Sequence, residues 1–301
     1  MELGIGTCPM IVRSIAGGVE VLAPAKLNLF LEVLARRPDG YHEIESLMVT
    51  VNLYDTLTVT ELDSGAIVLE CDDASLPTGS NNLVVKAAER LKAATGCARG
   101  TRISLTKVIP AQAGLAGGSS DAAATLAALD RIWDLGMPAN RLDAVAGEIG
   151  SDVVFFLHAP AAICRGRGEH VETVTLRQPL HFVLVAPTIG LSTADVYRNL
   201  RPPETPRRIG PVCGALAHED TAALGRSLFN RLQPVAEALR PDLVRVRDAL
   251  ADLDPPLEGS LMSGSGSAYF GLCRDSAAAQ KAAEDLQPLG LGWVRVVTCG
   301  P

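Results

Sequence analysis

The sequence predicts two α+β domains in a chain of 301 residues. Its N-terminal third reads as β-rich, helical patterns follow, and beyond about residue 160 the order is strands, helices, then strand–strand–helix–strand. Such an order is typical of α+β folds or of separate domains. We therefore expect an N-terminal domain over residues 1–160, with residues 1–18 as a loose extension, and a C-terminal domain over residues 161–301.

In the N-terminal half, local sequence signals separate the elements. Gly and Pro mark the breaks: Pro38-Asp39-Gly40 predicts a turn because Pro presets φ and Gly accepts a positive φ, and Gly96 predicts the end of a helix. The expected strands cover residues 19–36, 43–51, 56–61, 66–71 and 101–108, and the expected helices cover residues 82–95, 119–133 and 138–148.

In the C-terminal half, a Pro-rich charged segment over residues 201–211 predicts an exposed loop between two groups of elements. The expected elements are strands within residues 161–187, helices to about residue 253, a strand–loop–strand unit over residues 260–273, a helix over residues 276–286 and a strand over residues 293–298.

Composition excludes several classes of function. Hydrophobic residues make up 48% and charged residues 20%, as in a packed globular protein. The net charge of −7, with no basic run, argues against a nucleic-acid partner. The seven cysteines form no CxxC or Cys/His cluster, so we expect neither a disulfide framework nor structural zinc.

We also expect no membrane partner. The sequence has no apolar stretch of about 18 residues. Its first residues lack the basic region of a signal peptide. Together with the cysteine pattern, this predicts a cytoplasmic protein, either a monomer or a weak homodimer.

The strongest chemical signal is a Gly-rich loop that precedes an Ala-rich helix. Gly lets backbone amides approach a ligand, and a helix N-terminus attracts anions, so the segment predicts a phosphate site. The spacing fits neither a Walker A loop nor the GxGxxG fingerprint. A plain connection with Ser119 as helix N-cap is the alternative. The predicted site residues are Pro110, Ala111, Gln112, Ala113, Gly114, Leu115, Ala116, Gly117, Gly118, Ser119 and Ser120.

Three charged or polar residues interrupt apolar segments. Lys26 and Asn28 face the same side of a predicted strand, where burial without a partner would be costly. They indicate a site near an anion, or else the solvated face of an edge strand. Asp152 precedes an apolar run, where it could act as a general base beside a lysine or simply cap a helix.

Two further motifs are weaker. A Gly/Ser loop at Gly264, Ser265 and Gly266 could close over a phosphate group, although such loops are more often hairpin turns. Tyr41 and His42 could stack on and hydrogen-bond a base, or could be an ordinary surface pair.

Together these motifs resemble the GHMP kinase superfamily. PAKLNL near the start, GLAGGSSDAA in the middle and SGSGS late in the chain occur in that order. A finer resemblance, to the 4-diphosphocytidyl-2-C-methyl-D-erythritol kinase family, covers nearly the whole chain after about residue 20. It rests on residues 24–47, 109–129, 150–157, 164–169 and 261–272.

The resemblance implies a two-domain GHMP kinase fold. An N-terminal ATP-binding α+β domain and a C-terminal ferredoxin-like α+β domain would form the active site in the cleft between them. The cofactors would be ATP and Mg²⁺, and the acceptor would be a cytidine diphosphate-linked methylerythritol, phosphorylated on its 2-hydroxyl in non-mevalonate isoprenoid biosynthesis.

The resemblance also implies roles for residues. Asp152 matches the catalytic base, Lys26 the lysine that orients it, and Asn28 a substrate contact. Tyr41 and His42 match the residues that hold cytosine, with Tyr197 as a candidate third member. The Gly-rich loop would wrap the ATP phosphates. Ser120 and Asp152 are candidate Mg²⁺ ligands in an otherwise unassigned set.

The sequence departs from the family pattern at a few positions. Ala116 stands where the loop often has Gly, and Arg231 and Gln233 stand where the family often has acidic residues. Two alternatives stay open at this point: another GHMP kinase, of homoserine or mevalonate type, and a non-catalytic ligand sensor on the same scaffold.

Overall fold

The computed structural model describes residues 9–300 of the chain. Its first sheet has eight strands and is built around a long antiparallel pair, β2 and β3. The first-sheet strands are β1 (Ile11–Ile15), β2 (Gly18–Arg36), β3 (His42–Leu62), β4 (Ile67–Cys71), β5 (Gly100–Thr106), β6 (Ala161–Gly166), β7 (His170–Thr173) and β9 (Phe229–Asn230).

Four helices pack on this sheet: α1 (Leu83–Thr95), α2 (Gly117–Ile132), α3 (Ala139–Ile149) and α4 (Ser151–His158). The Ala-rich α2 is almost entirely buried, because its small side chains allow it to lie close to both the sheet and the other helices. The side chain of Asn82 caps α1, and Gly96 ends that helix with a φ of 72°.

The second sheet has four antiparallel strands in the order β10-β11-β8-β12. Its strands are β8 (Leu180–Ala186), β10 (Gly259–Met262), β11 (Tyr269–Cys273) and β12 (Trp293–Cys299). Its helices are α5 (Thr193–Asn199), α6 (Gly210–Ala217), α7 (Thr221–Ser227), α8 (Gln233–Leu239), α9 (Asp242–Ala251) and α10 (Ser276–Leu286), with a short 3₁₀ helix at Gln287–Leu289.

The predicted loose extension is wrong in part. Residues 11–15 form β1, which pairs with residues 18–22 of β2 across a turn at Gly17. The rest of the prediction, for residues 1–8, lies outside the described residues.

Two other element predictions also need correction. The strands expected over residues 43–51 and 56–61 are one strand, β3. A register shift between Pro24 and Ala25 of β2 absorbs two residues of β3, so the pairing continues without a break. The loop expected over residues 201–211 ends before Gly210, where α6 begins with Pro211 at a position that helix starts tolerate.

Three strands that follow residue 160 in the chain belong to the first sheet. β6 and β7 follow that residue, yet β6 pairs with β3. β9 pairs with β2 from much later in the chain. The first sheet therefore contains strands from both sides of residue 160. The domain boundary expected there stays a prediction.

Candidate active site

A cavity of about 1060 Å³ lies where the two sheets approach each other. That volume suits a nucleotide together with a second small molecule. The predicted site residues that line it are Lys26, Asn28, Tyr41, His42, Pro110, Ala111, Gln112, Ala113, Gly114, Ala116, Gly117, Gly118, Ser119, Asp152, Tyr197, Gly264 and Ser265.

The Gly-rich loop leads directly into α2, which begins at Gly117. Ala116, before this start, has φ 56°, a left-handed conformation, and the first amides of α2 have no partner within the helix. At Gly114 the second domain approaches closely: a Cβ would lie 2.0 Å from the carbonyl oxygen of Ser263. The loop and the helix start line the cavity together, and the anion site predicted there stays a prediction.

Lys26 and Asn28 lie on one face of β2, and both are buried. Lys26 Nζ donates to Asn28 Oδ1, and Asn28 Nδ2 donates to Ser46 Oγ at 2.8 Å. Ser46 Oγ in turn donates to the carbonyl of Phe30 at 2.7 Å. This chain of hydrogen bonds fixes the ammonium group in the cavity wall, so the interpretation as a solvated edge strand is wrong.

Asp152 is the second residue of α4. Gly150 takes the N-cap position, so Asp152 is not the cap and its carboxylate is directed to the cavity that it lines. Burial lowers the pKa of Lys26, and the nearby charge of Asp152 opposes that shift. The lysine and the carboxylate therefore act on each other electrostatically across the site.

Tyr41, His42 and Tyr197 all line the cavity as an aromatic cluster, in which His42 and Tyr197 are in ring contact. The rings of His42 and Tyr197 lie 5.1 Å apart, and Tyr41, also on the cavity wall, is 57% exposed. Burial and the charge of Arg36 lower the pKa of His42, which favours the neutral imidazole with one donor and one acceptor nitrogen. A flat ring with a hydrogen-bonding edge fits this arrangement.

The Gly/Ser loop between β10 and β11 packs against the phosphate loop. Ser263 Oγ donates to the carbonyl of Gly114 at 3.0 Å, and Ala268 N donates to that of Ala113 at 3.0 Å. Asn230 Nδ2 donates to the carbonyls of Met262 and Gly264 at 2.8 and 2.7 Å. The loop is therefore part of the site and more than a hairpin turn.

A buried ion triad lies beside the phosphate loop. Lys107 Nζ donates to Asp55 Oδ2 and, at 2.7 Å, to Asp121 Oδ2. Burial raises the pKa of Asp121 to about 7, Lys107 opposes that shift and Asp55 adds to it. Lys107 and Asp121 both line the cavity.

Comparison with known proteins agrees with this geometry. Residues 82–159 match the family described as GHMP kinases N terminal domain, and residues 212–288 match GHMP kinases C terminal. A 4-diphosphocytidyl-2-C-methyl-D-erythritol kinase of Pelotomaculum thermopropionicum is 42% identical over 88% of this chain and 92% of its own length. The enzyme of that name from Brevibacillus brevis is 40% identical over 86% and 89%.

The chain belongs to the 4-diphosphocytidyl-2-C-methyl-D-erythritol kinase family. A crystal structure of 4-(cytidine 5'-diphospho)-2C-methyl-D-erythritol kinase covers 94% of this chain and 99% of its own, with 39% identity and a TM-score of 0.78. Homoserine kinase from Cytophaga hutchinsonii shares the fold at 24% identity, covering 95% and 96% with a TM-score of 0.73. The protein is a small-molecule kinase with the GHMP kinase fold, and it uses ATP.

Three residues predicted for the kinase site do not line the cavity. The carbonyl of Leu115 accepts a hydrogen bond from Lys26 N at 3.1 Å, so Leu115 ties the loop to β2. Gly266 donates its N–H to the Ser263 carbonyl at 3.0 Å inside its own loop. Ser120 is fully buried in the first turn of α2.

Sequence analysis did not assign several residues that line the cavity. Asn82 was identified only as the start of a helix, and Lys107 stands between a strand and the phosphate loop without a motif of its own. Arg167 lies between Gly166 and Gly168, and a cation between two glycines is a sequence signal for an anion site. The main unassigned lining residues are Arg36, Asn81, Asn82, Leu83, Lys107, Asp121, Ser151, Arg167, Thr193 and Arg198.

The donor set fits a metal bound mainly through a nucleotide. Within residues 9–300, no three His, Cys, Asp or Glu side chains cluster as a metal site. In the same range, Ser120 Oγ and Asp121 Oδ1 are buried without a hydrogen-bond partner. Mg²⁺ commonly takes one or two protein oxygens, with phosphates and water completing its shell.

No helix within the described residues is long and apolar enough to cross a bilayer.

Proposed function

We propose that this protein transfers the γ-phosphate of ATP to the 2-hydroxyl of 4-diphosphocytidyl-2-C-methyl-D-erythritol. The products are the 2-phosphate and ADP, in the non-mevalonate route to isoprenoid precursors. One observation carries the proposal: a single cavity contains a phosphate loop, the Lys26–Asp152 pair and the cluster of Tyr41, His42 and Tyr197.

In this proposal each part of the cavity has a separate role. The aromatic cluster holds the cytosine ring, and Asn28 contacts the acceptor. The residues from Gly114 to Ser120 wrap the ATP phosphates, whose charge the N-terminus of α2 neutralises. Gly264 and Ser265 close the cavity from the second domain. The expected boundary near residue 160 is part of the same proposal.

The chemical step needs positioning and one proton transfer. Asp152 takes the proton of the 2-hydroxyl as that oxygen attacks the γ-phosphorus, and the bond to the β-phosphate oxygen breaks to release ADP. Lys26 is held by Asn28, and its charge stabilises the negative charge that develops on the attacking oxygen.

We also propose Mg²⁺ as the second cofactor. The candidate protein ligands are Asp152, which lines the cavity, and Ser120, which is buried behind the cavity wall and whose hydroxyl oxygen has no hydrogen-bond partner among the described residues. When bound, the ion neutralises the charge of the phosphates. The aromatic cluster, Asn28 and the Gly-rich loop bind and orient the two substrates.

ADP release from ATP, Mg²⁺ and the cytidyl substrate tests the proposal, with mevalonate and homoserine as control acceptors. We expect turnover on the cytidyl substrate alone. Asp152→Asn should keep its fold and lose about 10²–10⁴-fold in kcat, the usual worth of a general base. Asp285→Asn, in an exposed pair with Lys281, is the matched control and should retain kcat.

Two results would contradict this proposal. Turnover on a control acceptor but not on the cytidyl substrate would leave a GHMP kinase with a different acceptor. Wild-type kcat in a folded Asp152→Asn variant would remove the role of Asp152 as base.

A further inference from the structure

Arg167 lines the cavity and contacts the ring of Tyr41. Its guanidinium carbon is 5.0 Å from the centre of the Tyr41 ring. Its chain neighbour Gly168 lies against the start of α4: a Cβ at Gly168 would be 3.2 Å from Ser151 Cβ and 4.0 Å from Asp152 Oδ1. The turn that carries Arg167 therefore lies close to both Tyr41 and the candidate base.

The loop that carries Arg167 is rigid. It joins β6 to β7, and Gly168 N donates to the carbonyl of Arg165 at 3.0 Å. Glu169 Oε2 accepts the N–H of Arg167 at 2.5 Å. Gly166 and Gly168 have φ values of 76° and 119°, which side chains of L-residues rarely adopt. The position of Arg167 is thus fixed by its own turn.

The guanidinium group keeps donors for a ligand. Within residues 9–300, its one ion pair is a loose 3.5 Å contact of Nε with Glu169 Oε1, and the side chain is 31% exposed. Since the guanidinium has five N–H donors, most of them are available to the cavity that Arg167 lines. Arg198, in contrast, is held by Asp195 at 2.6 Å.

An acceptor that joins cytosine to a distant hydroxyl through a diphosphate must pass this point with its charged linker. Arginine binds phosphate oxygens in a fork of two parallel hydrogen bonds. We propose that Arg167 binds the diphosphate of the acceptor and sets the preference for a nucleoside diphosphate over the nucleoside. This inference rests on the proposed function, since that function supplies the diphosphate.

The test compares the binding of cytidine and CDP to the whole protein by calorimetry. In wild type, CDP should bind more tightly than cytidine. In Arg167→Ala that advantage should fall by about 10–100-fold, the range for hydrogen bonds to a charged group, while cytidine binding stays within about twofold. Arg167→Lys keeps the charge but not the fork, so it should retain an intermediate advantage.

Arg165→Ala is the matched control. Arg165 precedes Arg167 on the same hairpin, pairs with Glu45 at 2.9 Å and with Glu172 at 2.8 Å, and does not line the cavity. It should bind CDP and cytidine as wild type does. Thermal unfolding of each variant checks that the hairpin is intact.

The outcomes separate this inference from the proposed function. An equal loss of cytidine and CDP binding in Arg167→Ala would overturn the inference, because Arg167 would then only support Tyr41. An undiminished CDP advantage in that variant would also overturn it, and in both cases the proposed function stands. If wild type binds neither ligand, the proposed function fails and the inference fails with it.

Discussion

Arg231 donates two parallel hydrogen bonds, both of 2.7 Å, to the buried carboxylate of Glu32. The same carboxylate accepts the N–H groups of Val33 and Arg207 at 2.9 and 2.8 Å. Glu32 therefore joins β2, the loop before α6 and the segment after β9. Leu31, next to Glu32, and Leu232, next to Arg231, line the cavity, so this ion pair supports the cavity wall.

Removal of the arginine should destabilise the protein. Arg231→Ala leaves two lone pairs of a buried carboxylate without donors, and we expect the free energy of unfolding to fall by about 1–3 kcal/mol. Urea unfolding measures the change. Arg13→Ala, which removes a half-exposed arginine 3.6 Å from Glu20, is the control and should change stability by less than about 0.5 kcal/mol. Equal effects of the two substitutions would contradict the prediction.

The same carboxylate predicts a pH dependence of stability. Burial by itself raises the pKa of Glu32, but the hydrogen bonds from Arg231, Arg207 and Val33 outweigh it and hold the pKa below its usual value. The unfolded chain, with a glutamate pKa of about 4.3, therefore binds this proton first. The stabilisation is complete above that pH and is lost as the pH falls through the lower, folded-state pKa.

Glu32→Gln isolates this effect. The difference in unfolding free energy between wild type and Glu32→Gln should be constant from pH 8 to about pH 5 and should shrink below about pH 4.3, where Glu32 of the unfolded chain becomes protonated before Glu32 of the folded protein. Urea unfolding at several pH values measures it. A difference that grows as the pH is lowered would show that the sign is wrong.

Asn230 should be important for activity without touching either substrate. Its amide holds the carbonyls of Met262 and Gly264, and its Oδ1 accepts the N–H of Leu232 at 2.9 Å. Asn230→Ala removes these hydrogen bonds from the loop between β10 and β11, which packs on Gly114. Because a small misplacement of groups around an active site lowers the rate, we expect kcat to fall by about tenfold or more.

The control for Asn230 is Asn199→Ala. Asn199 is exposed, and its side chain donates to the carbonyl of Asp195 within its own helix, at 2.9 Å. Steady-state kinetics of both variants at saturating ATP and acceptor would measure the effect. The prediction is contradicted if the two variants have the same kcat.

The local parts of the site could be predicted from the sequence because their signals are local. Lys26 and Asn28 are two residues apart, and period-two geometry alone places them on one face. The contacts between distant segments could not be predicted. Arg231 lies 199 residues from Glu32 and Lys107 lies 52 residues from Asp55, so only the folded topology brings their charges together. Arg231, noted as a departure from the family, has its explanation in that distant carboxylate.

Lys107 should be among the most sensitive positions for stability. Its ammonium is the cation shared by Asp55 and Asp121, both buried carboxylates. Lys107→Met leaves Asp55 and Asp121 buried without their cation, and loss of one partner from a buried ion network costs about 3–5 kcal/mol. Chemical denaturation should show that loss. Lys281→Met breaks an exposed pair with Asp285 and should cost about 0.5 kcal/mol or less, and a similar cost at Lys107 would contradict the prediction.

Ala116 should be replaceable by glycine with a gain in stability. Its φ of 56° and ψ of 31° are left-handed, which costs an L-residue roughly 1–2 kcal/mol but costs glycine nothing. Glycine also gives the unfolded chain more conformational freedom, which lowers the unfolding free energy by about 0.4–1 kcal/mol. We therefore expect Ala116→Gly to raise the unfolding free energy by about 0.5–1 kcal/mol.

A matched substitution shows whether the conformation is the cause. Ala122, in the interior of α2, is buried with helical geometry, so Ala122→Gly should lower the unfolding free energy by about 1 kcal/mol. Urea unfolding of the two variants gives both signs in one experiment. Glycine adopts a left-handed conformation without cost, so relief of strain at position 116 must appear as a higher unfolding free energy. If Ala116→Gly lowers the unfolding free energy instead, the left-handed conformation at Ala116 is not a source of strain.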